Sequence, residues 1–94
     1  MVNAIVLMQV QRSGINETAQ KLAEVEGVSE VFSVGGRYDL VAILRTRNNE
    51  EMAELVTQRL VDMDAIVDTE TLIAFRAYSR HDLERMFSIG AEGE

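Results

Sequence analysis

The stretch from Val28 to Arg45 reads Val-Ser-Glu-Val-Phe-Ser-Val-Gly-Gly-Arg-Tyr-Asp-Leu-Val-Ala-Ile-Leu-Arg, and it decides the fold. Two runs rich in β-branched and aromatic residues, Val28–Val34 and Tyr38–Arg45, flank the pair Gly35-Gly36. Strand-forming runs on either side of paired glycines are typical of a β-hairpin. The stretch therefore predicts strand, glycine turn, strand.

The turn also has chemical content. Adjacent glycines can adopt positive φ and direct successive backbone N–H groups toward one point, which forms a nest for a carboxylate or a phosphate. Asp39 follows the turn and could receive an ammonium group. A nest with one carboxylate would hold an α-amino acid. The simpler interpretation is a tight hairpin with a solvated aspartate.

Length and composition bound the fold and exclude several classes of protein. Ninety-four residues with 47% apolar side chains predict one domain over 1–94, and a chain of this size is stabilised further by association. The sequence has no apolar run near the ~20 residues of a membrane span, no signal-peptide pattern and no cysteine. We therefore expect a cytoplasmic protein. A net charge of −7 with scattered Arg and Lys argues against direct nucleic-acid binding.

Periodicity along the chain predicts four strands and two long helices. Asn16 is the expected N-cap of the first helix, with Ala19, Leu22 and Ala23 as its core stripe and Gly27 as its stop. Asn48 or Asn49 is the expected cap of the second helix. The predicted elements are strands Ala4–Val10, Val28–Val34, Tyr38–Arg45 and Ile66–Tyr78, helices Glu17–Glu26 and Glu50–Met63, a short helix Arg80–Phe87, and a disordered tail Gly90–Glu94.

The order β-α-β-β-α-β predicts an α+β, ferredoxin-like fold with an antiparallel sheet of order 4-1-3-2. Strands one and three are apolar on both faces, as expected of central strands. Two helices cover one face of such a sheet, so a second apolar face requires another cover. A second copy packed sheet to sheet is the economical cover, which predicts an obligate dimer.

The residues resemble the effector-binding (RAM) domain of the Lrp/AsnC, or feast/famine, transcription regulators. The resemblance covers Ala4 to Phe75. It rests on a strand followed by Gly36-Arg37-Tyr38-Asp39 and an apolar strand, and on Thr69-Glu70-Thr71 in the last strand. The resemblance implies a dimeric α/β barrel that assembles further, commonly into an octameric ring. It also implies that small effectors, usually amino acids, bind at the seam between dimers.

The resemblance implies a set of ligand-binding residues and no cofactor. The implied positions are Gly35, Gly36, Arg37, Tyr38, Asp39, Thr69 and Thr71. The glycine N–H groups would hold a carboxylate, Asp39 an ammonium group, and Tyr38 would form a flat wall. Plain β-propensity explains the two threonines equally well, and Tyr38 could instead anchor an interface.

The sequence departs from full-length family members because Met1 stands three residues ahead of strand one. We expect a domain without its own helix-turn-helix module, which would modulate transcription by assembling with a full-length regulator. An ACT-like amino-acid sensor shares the element order but lacks these motifs. A purely structural oligomerisation module would need no ligand.

A small dimeric-barrel enzyme, of the monooxygenase or isomerase type, is the remaining alternative. Such an enzyme needs a tuned acid, base or electrophile in a pocket. The single histidine, His81, stands beside Asp82 at the start of the predicted terminal helix, where a capping role is typical. No spacing of acidic residues matches a calcium or transition-metal site. We expect neither enzymatic activity nor a metal.

Overall fold

The computed structural model of the chain describes residues 1–78 and residue 80. Its strands and helices follow the predicted order, β-α-β-β-α-β. The elements are β1 (Val2–Val10), α1 (Ile15–Glu24), β2 (Val28–Ser33), β3 (Leu40–Thr46), α2 (Asn49–Glu54) and β4 (Ile66–Ala74). A 3-10 turn, Arg12–Gly14, precedes α1, and a π-helical segment, Leu55–Arg59, continues α2.

The four strands form one antiparallel sheet in the order β2-β3-β1-β4. This is the predicted order 4-1-3-2 counted from the opposite edge, so the ferredoxin-like α+β fold is confirmed. Val6 of β1 lies opposite Ala42 of β3 and Thr71 of β4. Since paired residues share a face of the sheet, this register assigns every strand residue to one face or the other.

The core lies between the two helices and one face of the sheet, here called the helix face. Alternate residues of β1 and β3 are buried there against apolar side chains of α1, α2 and the π-helical segment. The buried hydrophobic residues are Ala4, Val6, Met8, Val10, Leu22, Leu40, Ala42, Leu44, Met52, Leu55 and Leu60. This cluster fixes the helices over the sheet centre and leaves the opposite face without them.

Helix α1 differs from the prediction at its start and in its buried stripe. Asn16 is not the N-cap, because the 3-10 turn continues directly into the helix through Ile15, and no side chain caps the helix. Thr18 and Leu22 are buried, whereas Ala23 is exposed. The buried stripe therefore follows the i, i+4 row of Thr18 and Leu22 rather than the neighbouring row.

The end of α1 also differs from the prediction. The helix ends at Glu24, and Val25, which follows it, is extended rather than left-handed. Gly27 has φ of 98° in the turn leading to β2, and its carbonyl accepts a hydrogen bond of 2.8 Å from Arg45 N. A Cβ here would lie 2.8 Å from Leu55 Cδ2. Gly27 is thus required by the turn and by the packing of Leu55, not as the helix stop.

Helix α2 begins as the sequence predicted. The side chain of Asn48 accepts a hydrogen bond of 2.8 Å from Glu51 N. The reciprocal bond of a capping box goes instead to Arg47, whose backbone N–H and guanidinium donate to the Glu51 carboxylate. Met52, Leu55 and Leu60 are buried and Val56 is half-buried, so the predicted stripe is confirmed.

Three predicted boundaries differ in the structure or lie outside it. Tyr38 and Asp39 belong to the hairpin loop rather than to β3, because Asp39 N bonds Met8 O of β1 and turns the chain there. Strand β4 ends at Ala74, short of the predicted Tyr78, because its pairing with β1 ends at Asn3. The predicted helix Arg80–Phe87, apart from Arg80, and the predicted tail Gly90–Glu94 lie outside the described residues.

The opposite face of the sheet, here called the open face, is apolar at its centre. In the described part of the chain no helix packs on it. Its central residues are Ile5, Leu7, Val41 and Ile43, which are half-buried, and Phe32 and Leu72, which are 47% and 46% exposed. As the sequence predicted, the two central strands carry apolar side chains on both faces.

Candidate functional site

The hairpin between β2 and β3 is a six-residue loop, Val34–Asp39. Val34 N donates to Asp39 O across 3.0 Å and closes the loop. Gly36 has φ of 123°, while Gly35 does not have positive φ. A Cβ on either glycine would meet no atom within 4 Å. Gly36 is therefore needed for its backbone conformation rather than for space, and the two glycines do not both adopt positive φ.

Asp39 connects the loop to the end of β1. Its backbone N–H donates to Met8 O at 2.8 Å, and its carboxylate Oδ2 accepts from Val10 N at 2.8 Å. The contact is partly buried, so the carboxylate has a structural role that the sequence did not reveal. The second oxygen, Oδ1, is the one that could accept an ammonium group.

Tyr38 and Arg37 tie the loop to β4 and β1. The Tyr38 hydroxyl donates to Glu70 Oε2 at 2.6 Å, and Gln9 Nε2 donates to Arg37 O at 3.1 Å. The hydrogen bond to Glu70 raises the pKa of Tyr38, with smaller contributions from desolvation and from the negative charges of Glu70 and Asp68. The surroundings of the Tyr38 hydroxyl are thus electronegative.

Thr69 and Thr71 lie on the other side of the sheet from Glu70. Thr69 pairs with Met8 and Thr71 with Val6, which places both on the helix face, whereas Glu70 pairs with Leu7 on the open face. The seven residues implied by the resemblance therefore form two groups, the loop residues and the threonine pair, separated by the thickness of β4.

Sequence reasoning missed two residues that hold the loop. Gln9 and Glu70 contact the loop backbone and the Tyr38 hydroxyl, respectively. Both contacts depend on the register of β1 and β4, because the residues involved are 28 and 32 positions apart in the chain. The alternation of Glu70 with two threonines was visible in the sequence, but nothing there pointed to Tyr38.

Two surface depressions lie beside the described elements. A shallow groove between the π-helical segment and β4 is lined by Val56, Leu60, Val61, Ile66, Val67, Asp68 and Thr69, so one of the two threonines borders it. A larger open cleft lies at the opposite end of the sheet, beside the exposed Arg47–Glu51 ion pair. The larger cleft contains none of the predicted site residues.

Metal binding and membrane spanning find no support in the described residues. Residues 1–78 and 80 contain no group of three or more His, Cys, Asp or Glu side chains placed to hold a metal ion. The candidate base His81 lies outside this part of the chain. None of the helices within the described part is long and apolar enough to cross a bilayer.

Comparison with known proteins identifies the family. The model of the Lrp/AsnC ligand binding domain matches residues 3–83. The chain belongs to this family. The Lrp/AsnC ligand-binding domain is also the fold of TTHA0845 from Thermus thermophilus, which is 41% identical, with a TM-score of 0.79 over 85% of this chain and 100% of that chain.

Relatives with a regulator's name are longer than the matched domain. The HTH-type transcriptional regulator PF0250 of Pyrococcus furiosus is 32% identical over 59 residues, which are 63% of this chain and 39% of that protein. The transcriptional regulator NMB0573 of Neisseria meningitidis was solved as a complex with L-Met. It is 11% identical with a TM-score of 0.75, over 84% of this chain and 53% of that chain, and the likeness shows the fold alone.

The chain thus spans about two fifths of the curated regulators it matches. These relatives are transcriptional regulators, so the comparisons favour a regulatory domain over the enzyme alternative.

Proposed function

We propose that this Lrp/AsnC ligand-binding domain binds a small effector, an amino acid or a similar zwitterion, beside the loop Val34–Asp39. The observation that carries the proposal is the family match over residues 3–83. The complex of NMB0573 with L-Met supports amino acids as the first class of ligand to test.

The loop offers complementary chemistry to a zwitterion. The positive φ of Gly36 and the absence of any atom near either glycine leave the backbone N–H groups of the turn accessible to a carboxylate. Asp39 Oδ1 and the electronegative side of Tyr38 would receive the ammonium group. Arg37 would add a positive charge at the carboxylate end. Thr69 and Thr71 would contribute from the helix face of a neighbouring subunit.

The same domain is proposed to function as an oligomer, with the dimer as its smallest unit. The open face carries an apolar centre that no described helix covers, and exposing such a surface to water is unfavourable by ~25 cal/mol per Å². A second copy would cover it with the same surface, as in an isologous dimer. Dimers would then meet further, as the resemblance implies for an octameric ring.

An influence on transcription would be exerted through a helix-turn-helix protein. Within the described residues and the family match, the sequence is a ligand-binding domain, and the matched regulators carry additional chain. Mixed assembly with such a regulator is the proposed route. Its test is a pull-down of an untagged full-length family regulator with this chain, with and without amino acids. Failure to recover mixed oligomers under both conditions would contradict this route.

A purely structural role is the second candidate. It is favoured by the fact that the Asp39 carboxylate and the Tyr38 hydroxyl already have partners within the chain. A thermal-shift screen against the twenty amino acids distinguishes the two roles. An effector at 100 times its Kd adds about 2.7 kcal/mol, which raises the midpoint of a domain of this size by more than about 10 °C.

The screen needs a matched pair of variants. Asp39→Asn retains an oxygen acceptor for Val10 N while removing the charge, and Glu24→Gln removes an exposed carboxylate on α1, away from the loop. An effector that binds as proposed shifts the midpoint of the wild type and of the Glu24 variant and shifts the Asp39 variant much less. The absence of a shift with every amino acid would favour the structural role.

A further inference from the structure

The open face carries opposite charges at diagonally opposite corners. Arg45 of β3 lies opposite Asn3 of β1, at one end of the face. Glu70 and Asp68 of β4 lie opposite Leu7 and Gln9, toward the other end. Arg45 and the two carboxylates are therefore separated both along the strands and across the sheet, with the apolar centre between them. All three side chains are exposed.

The positive corner is incomplete within the single chain. The ion pairs in the described residues are Lys21–Glu17 and Arg47–Glu51, so Arg45 has no carboxylate partner there within 4.0 Å. Beside it, Asn3 Oδ1 is buried and has no hydrogen-bond partner in the described part of the chain. A buried oxygen without a donor is unfavourable, and it marks this corner as one that another group completes.

We propose that the second copy covers the open face with its charges opposed, so that Arg45 of each protomer meets Glu70 and Asp68 of its partner. This inference rests on the proposed dimer and specifies its geometry. A two-fold axis in the plane between the sheets, perpendicular to the Arg45–Glu70 diagonal, exchanges the two corners. Two equivalent charge contacts then flank one apolar centre.

The opposed arrangement also specifies how the sheets cross. Because the diagonal is inclined to the strands, this axis makes the strands of the two sheets cross steeply, nearer the orthogonal than the aligned class of sheet packing. An axis along the diagonal would instead place Arg45 on the partner's Arg45 and the carboxylates on each other. Like charges facing each other across an interface are unfavourable, which selects the opposed arrangement.

Charge reversal tests the geometry, because each arrangement predicts a different pattern. In the opposed arrangement, Arg45→Glu alone and Asp68→Arg with Glu70→Arg each raise the dimer Kd by about tenfold or more, through two repulsive contacts. All three substitutions in one chain restore the dimer, because Glu at position 45 then faces Arg at positions 68 and 70 of the partner. The Kd values are measured by sedimentation equilibrium of the full chain.

Two controls separate this pairing from general charge effects. Arg59→Glu, and the pair Glu54→Arg with Asp62→Arg, make the same charge changes at exposed positions of the α2 region and are expected to leave the dimer Kd within about twofold. Tyr38→Phe removes the hydrogen bond to Glu70 without changing charge, and it too is expected to leave the dimer Kd unchanged.

Three outcomes would overturn the inference, and each has a distinct meaning. If the triple variant stays weak while Arg45→Glu pairs preferentially with the wild type, like corners face each other. If neither charge reversal changes the Kd, these corners lie outside the interface. If the wild type is monomeric, the proposed dimer itself fails, independently of the charge pattern.

Discussion

Substitutions of Asp39 separate the structural role of this side chain from its proposed role in binding. In the structure Val10 N donates to Asp39 Oδ2 at 2.8 Å in a partly buried position. Asp39→Ala removes the acceptor, and an unpaired, partly buried N–H lowers the free energy of unfolding by about 1–3 kcal/mol. Asp39→Asn retains an oxygen acceptor and is expected to lower it by less than about 1 kcal/mol.

The assay is thermal unfolding at pH 7, with and without the effector found by screening. For a domain of this size 1 kcal/mol corresponds to about 4–8 °C, so Asp39→Ala is expected to lower the midpoint by at least about 4 °C. Asp39→Asn should remain near the wild type without effector and should lose most of the effector-induced shift. Equal midpoints for the two variants would refute the anchoring role, and a full effector response in Asp39→Asn would refute the ammonium contact.

Three further predictions follow from the loop and from α2. Gly36→Ala is expected to destabilise by about 1–3 kcal/mol because φ is 123°, while Gly35→Ala is expected to be neutral; equal losses in urea unfolding would contradict this. The raised pKa of Tyr38 confers stability that is present below its ordinary value of 10.0 and lost as pH rises through the raised pKa. Unfolding between pH 9 and 11 should show that loss, and Tyr38→Phe should abolish it. Asn48→Ala removes the α2 cap and should lower the free energy of unfolding by about 0.5–2 kcal/mol; an unchanged urea midpoint would contradict the cap.

The sequence was sufficient for the topology because the pattern of faces and the order of elements agree. Residues Ala4–Val10 are apolar on both sides, which predicted a central strand, and β1 indeed lies between β3 and β4. Asn48 three residues before Glu51 predicted the α2 cap, and the hydrogen bond is present. Both inferences use information within a few residues, where spacing alone determines which groups can meet.

The contacts of the loop could not be predicted, because they depend on strand register. The partner of the Asp39 carboxylate is Val10 N, 29 residues away, and the partner of Tyr38 is Glu70. A shift of one residue in the β1–β4 register would exchange the faces of Glu70 and Thr71. Local propensity also misplaced Tyr38 in β3, because an aromatic next to an apolar run is typical of a strand.

The central claim is that the apolar open face is covered by a second copy of this chain. The most direct measurement is the molar mass by light scattering during size exclusion, followed down to micromolar concentration. The account predicts twice the 10.5 kDa of one chain, or a larger even multiple, throughout the range. A stable species of 10.5 kDa with a cooperative unfolding transition would contradict it.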